Sequence, residues 1–85
     1  MEIGSNYFIR TDTDHWLGRL VSVDGPYTVT LEDFAWVASA GRLNEFLNKG
    51  TANEMEIEHA PDGMRITLNW RACITWPHDL IRRTV

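Results

Sequence analysis

Trp36 stands between the acidic pair Glu32-Asp33 and Arg42, and these residue types together suit a nucleotide. An indole stacks on a purine, a guanidinium meets a phosphate, and a carboxylate accepts from ribose hydroxyls or a base amine. The plainer alternative buries Trp36 at a strand-to-helix junction and pairs Arg42 with Asp33 or Glu45. His15-Trp16 with Arg19 is a second grouping, and it needs a bend at Gly18 to act as one site. Its plainer alternative is a core Trp16 and a solvated His15. Trp76-Pro77-His78-Asp79 adds a rigid aromatic edge. Adjacent residues on an extended chain point apart, so His78 and Asp79 are poorly placed to form a catalytic dyad.

Other chemistry finds little material. No serine or cysteine nucleophile sits in a recognisable motif, so no catalytic residue is expected. Cys73 is the lone thiol, which excludes an intramolecular disulfide. Cys73, His15, His59 and His78 fall into no zinc-binding spacing. Asp12-x-Asp14-His15 lacks the glycine and distal glutamate of a calcium loop and reads as a polar turn. Neither a metal nor a cofactor is expected. Eight basic against twelve acidic residues give a net charge of -4, which works against general binding to nucleic acid. The acidic stripe Glu54, Glu56 and Glu58 would repel it further. Arg10, Arg19, Arg42, Arg65, Arg71, Arg82 and Arg83 nevertheless stand against one lysine, Lys49. Arginine's planar fork suits bidentate recognition or structural ion pairs better than bulk charge.

The elements that must position these residues are short. At 85 residues the chain is expected to be a single domain, 1–85, whose core alone gives marginal stability. With neither disulfide nor metal as a staple, association with further copies is the expected support. Strands are predicted over Asn6 to Thr11 and His15 to Val23, the second central and covered on both faces. Asp24-Gly25-Pro26 turns into a strand with Tyr27, Val29 and Leu31 inward. The period then breaks, and Phe34 to Ala40 fits a strand, a bulge or a helix start. Leu43, Phe46 and Leu47, with Ser39 as a cap and Gly50 as a stop, predict a helix of about ten residues. Met55, Ile57 and His59 alternate in a further strand, and Met64, Ile66, Leu68 and Trp70 in the clearest one. Ala72 to Trp76 is the last, ended by Pro77. The tail from Leu80 to Val85 is expected as an edge, a turn or a contact with another copy. The predicted class is mainly β (α+β): a small barrel of five to six strands with one short helical insertion.

This strand order resembles an Sm-like or SH3-like small barrel, carried by Tyr7 to Arg10, the bent Trp16 to Val21, Tyr27 to Asp33 and a final short hairpin. The segments Tyr7-Phe8-Ile9-Arg10-Thr11, His15 to Val21, Leu31 to Ala38, Gly41-Arg42 and Trp76-Pro77-His78 are also similar to a family of short bacteriophage proteins of unassigned activity. Asp14 departs from that pattern. The second likeness implies a phage origin and a place in the host cytoplasm, and supplies no mechanism.

The resulting expectation is a non-enzymatic phage anti-defence protein. It forms a homo-oligomer and sequesters a nucleotide immune signal: a cyclic ADP-ribose isomer, an ADP-ribose conjugate or a cyclic dinucleotide. Trp36 or Trp16 would stack on the base, Arg42 and Arg19 would meet phosphates, and Glu32 or Asp33 would accept from hydroxyls or amines, with His15 and Trp76 as further ligand-binding candidates. An Sm-like nucleic-acid or host-protein binder is the alternative, and a hydrolase of such a signal the third. No apolar run approaches the ~18 residues that span a bilayer, and no secretion signal opens the sequence, so a cytoplasmic protein without membrane contact is expected.

Overall fold

The computed structural model describes residues 1–80, so the expectation for the tail beyond Leu80 lies outside the described residues. The elements run β1 (Asn6–Arg10), β2 (His15–Gly25), β3 (Thr28–Ser39), α1 (Leu43–Lys49), β4 (Glu56–His59), β5 (Arg65–Asn69) and β6 (Ala72–Thr75). Every pairing is antiparallel: β1 with β2 and β6, β2 with β3, and β3 with both β4 and β5. No helix among the described residues is long and apolar enough to cross a membrane.

The sheet does not close into a barrel, which corrects the expected five- to six-stranded barrel and its Sm-like or SH3-like likeness. The strand order is β4-β3-β2-β1-β6, with β5 added on β3. Closure needs one continuous register around the sheet. Here the outer edge of β3 is divided between two short strands, β5 along positions 28–32 and β4 along 35–39. The turn between β5 and β6 reaches the rest of the sheet through single bonds, from the Trp70 amide to the Tyr27 carbonyl (2.8 Å) and from the Arg71 amide to the Arg10 carbonyl (2.7 Å). Among the described residues no ladder joins β6 to β4 or β5.

β2 is central as predicted, and both faces of the sheet are buried. On one face Phe8, Leu17, Ala35, Val37 and Ile57 pack with Phe46 of α1 and with Trp76. On the other, Tyr7, Ile9, Leu20, Val29, Leu31 and Leu68 form a second core. Tyr27, expected inward, is exposed, because β3 begins only at Thr28.

The helix has seven residues, fewer than predicted. Ser39 does not cap it: its hydroxyl accepts from the Gly41 amide at 3.2 Å, and Arg42 at the N-cap makes no side-chain capping bond. Gly50 does end it, with φ of 78° and its amide bonded to the Phe46 carbonyl at 2.9 Å. A Cβ there would lie 2.8 Å from the His78 ring, so only glycine fits. A helix this short has no stability of its own. It is held by the fully buried Phe46, wedged between Phe8 (5.5 Å) and Trp76 (4.9 Å), and by His78, whose Nε2–H donates to the Leu47 carbonyl at 2.9 Å.

Two predictions follow from this scaffold. Phe46→Ala removes the only fully buried side chain of α1 and is expected to lower unfolding free energy by about 3–5 kcal/mol, read from urea denaturation; a change below about 1 kcal/mol would show that the helix is not anchored there. At the end of β1, Arg71 grips both oxygens of Asp12 at 2.6 and 3.1 Å. The hydrogen bond and charge of Arg71 hold the Asp12 carboxyl below its ordinary value. Because the folded pKa is the lower one, this contribution is complete above the unfolded value and disappears as pH falls through the folded value. Wild type should therefore exceed Asp12→Asn in denaturation midpoint at neutral pH and converge with it in strong acid. A gap that persists unchanged in acid contradicts this assignment.

Candidate functional site

The middle of β3 carries one residue too many. Leu17 pairs with Ala35 and Arg19 with Glu32, so Gly18 alone on β2 is opposed by both Asp33 and Phe34. Asp33 takes up the extra length with φ of 47°, a conformation aspartate tolerates better than most residues. Gly18 is required opposite it: a Cβ would stand 3.0 Å from the Leu31 side chain and 3.3 Å from the Glu32 carbonyl. The bulge turns the strand over, so that Val29 and Leu31 face one core while Ala35 and Val37 face the other.

Charged groups collect around this bulge. Arg19 bonds Glu32 Oε2 through Nε at 3.3 Å and Asp33 Oδ2 through Nη2. Arg65 approaches Glu32 Oε1 at 3.9 Å. The link between β4 and β5 passes over the same place, held by the Ala60 amide on the Phe34 carbonyl at 3.0 Å. It brings in His59 and Asp62, and one donor atom from each of Asp33, His59 and Asp62 lies within 4.8 Å of the other two. His59 Nδ1 is sealed from solvent and has no hydrogen-bond partner among the described residues. A cleft of about 170 Å³ beside them is lined by Glu32, Asp33, Gly63, Met64 and Arg65.

The residues singled out in the sequence are distributed over several places. Glu32, Asp33 and Arg19 do meet, as an ion-pair cluster. Trp36 is 38% exposed and donates from Nε1 to Asp14 Oδ1 at 3.1 Å. It alternates with Ala35 and Val37, so it projects from the sheet face opposite α1. Arg42, at the start of α1, has no ion-pair partner among the described residues. Trp16 is half-buried beside Phe34, with ring centroids 5.9 Å apart, and pairs across the strands with Trp36. His15 stacks on Phe8 at 5.4 Å with planes 20° apart. Four positions separate it from Arg19, about 13 Å along a strand. Trp76 is buried in the core against Phe46, and Cys73 is half-buried, which pushes its thiol pKa up and away from thiolate chemistry.

A second cleft, of about 120 Å³, opens between the sheet and the first turn of α1. Phe8, Arg10, His15, Leu43, Ala72 and Ile74 line it. Leu43 and Ile74 are 53% and 44% exposed at its rim. Arg10 makes no ion pair among the described residues, whereas Arg19, Arg65 and Arg71 all do. Arg10, Leu43 and Ile74 escape sequence reasoning because three distant segments supply them. His59 and Asp62 escape it because spacing shows them only as neighbours of a turn. The one available signal was the break in alternation after Asp33, which is where the bulge falls.

No family model, curated protein or solved structure matches the chain. The likeness to short bacteriophage proteins is thus corrected along with the barrel it accompanied, and the site must be read from its own geometry.

Proposed function

We propose that the protein is a non-catalytic binder of a nucleotide-type small molecule, taken up in the cleft between β1, β6 and the first turn of α1. The observation that carries this reading is Arg10, a guanidinium that makes no direct ion pair among the described residues and reaches the Asp12 carboxylate only through its field, beside the stacked rings of His15 and Phe8 in an otherwise apolar cleft. In an acidic protein whose Arg19, Arg65 and Arg71 hold carboxylates, a cation left for an external anion is a functional feature. The imidazole offers a flat surface for a base, and Leu43 and Ile74 offer apolar walls.

The size of the cleft adds a condition. At about 120 Å³ it is well below the ~300–1,000 Å³ usual for enclosed ligand sites, so one ring fits and the rest of the ligand stays outside. A second copy seated on the exposed Leu43 and Ile74 would cover it, which favours a homo-oligomer with ligand held between subunits. Arg42, next to Leu43, is then a further phosphate contact. Sequestration is the activity such a closed site would serve.

Calorimetry of the purified protein with ADP-ribose, cyclic ADP-ribose and a cyclic dinucleotide tests this reading. At least one should bind saturably, be recovered intact after heat denaturation, and bind Arg10→Ala at least about tenfold more weakly, as loss of a charge-assisted contact implies. Absence of binding by all three, or an unaffected Arg10→Ala, defeats the reading. Recovery of a ligand with altered mass marks a hydrolase instead.

A further inference from the structure

We propose that Asp33, His59 and Asp62 form a binding site for a divalent transition-metal ion that accepts mixed nitrogen and oxygen ligands, such as zinc, cobalt or manganese. Two segments supply the donors: the bulge of β3 gives Asp33, and the end of β4 with the turn that follows it gives His59 and Asp62. Asp33 stands 26 positions before His59, so its meeting with His59 and Asp62 is not a by-product of one acidic stretch. The donor atoms lie within 4.8 Å of one another, against about 3.4 Å between ligands of a tetrahedral ion with bonds near 2.1 Å. The difference is within reach of side-chain rotation, above all by Asp62 on its exposed turn.

His59 supplies an independent reason. Its Nδ1 is buried and lacks a hydrogen-bond partner among the described residues, an unfavourable state for a ring nitrogen. Coordination through Nδ1 would satisfy it. Arg19 adds the outer support typical of ligating carboxylates, since its bond to Asp33 Oδ2 fixes the orientation of that group. Within the donor set two carboxylates and an imidazole match the charge of a dication, and Glu32 offsets the charge of Arg19. The nitrogen donor disfavours calcium and magnesium, which prefer all-oxygen surroundings. Three protein ligands also leave a coordination position open.

The test uses the full chain after removal of metal by a chelator. Titration with Co²⁺, followed by its visible absorption, and with Zn²⁺, followed by calorimetry, should each give one saturable site per chain and a raised melting temperature. Asp62→Asn and His59→Gln should each weaken Co²⁺ binding at least about tenfold. Arg10→Ala, in the other cleft, should bind Co²⁺ as wild type does. Lack of saturation below about 1 mM, which corresponds to only about 4 kcal/mol of binding, overturns the proposal, as do variants that bind like wild type. Should His59→Gln fail to fold, Asp62→Asn on its exposed turn decides the matter.

Discussion

Because Asp33 and Phe34 together oppose Gly18, β3 turns over halfway along its length, and much of the molecule depends on that one inserted residue. A strand of regular period would present Val29, Leu31, Ala35 and Val37 to a single face. With the bulge, the first two enter one core and the last two enter the other, so one strand serves both sides of the sheet. The same discontinuity lets β5 and β4 share the outer edge of β3 in turn. It also leaves the Asp33 carboxylate where the chain between those two strands must cross.

Three arginines among the described residues are tied to carboxylates around this frame. Arg19 and Arg65 meet the acidic groups at the bulge, and Arg71 secures the turn between β5 and β6 to the end of β1. Such exposed pairs add little stability individually. Their larger effect is to occupy cations that would otherwise give the surface a general affinity for anions. Arg10 and Arg42 are conspicuous because they stand outside that arrangement, close to the apolar opening beside α1.

Strands and turns were legible in the sequence wherever a local period or turn signal specified them, as in β1, β2 and the hairpin at Gly25. The helix was legible through Leu43, Phe46, Leu47 and Gly50, although its start was misplaced: Ser39 belongs to β3 and caps nothing. Closure was not legible, because whether the last strand reaches the first partners of β3 depends on register summed over the whole sheet. The nucleotide grouping around Trp36 treated nearness in sequence as nearness in space. Alternation instead sends Trp36 to one face while the helix covers the other. Glu32, Asp33 and Arg19 do come together, but as partners to one another.

The contacts of Trp76 and His78 with α1 also bear on how the chain folds. The helix is too short to persist alone, and the imidazole that binds its final turn comes 31 positions after the carbonyl it meets. Until residues 72–78 have been synthesised, β1 lacks its outer neighbour and Phe46 has no finished pocket. Non-local closure of this kind slows folding relative to a helical domain of similar size. It also makes the order of events directional: the β2–β3 hairpin can form early, whereas one of the two cores is completed only after the C-terminal clasp arrives.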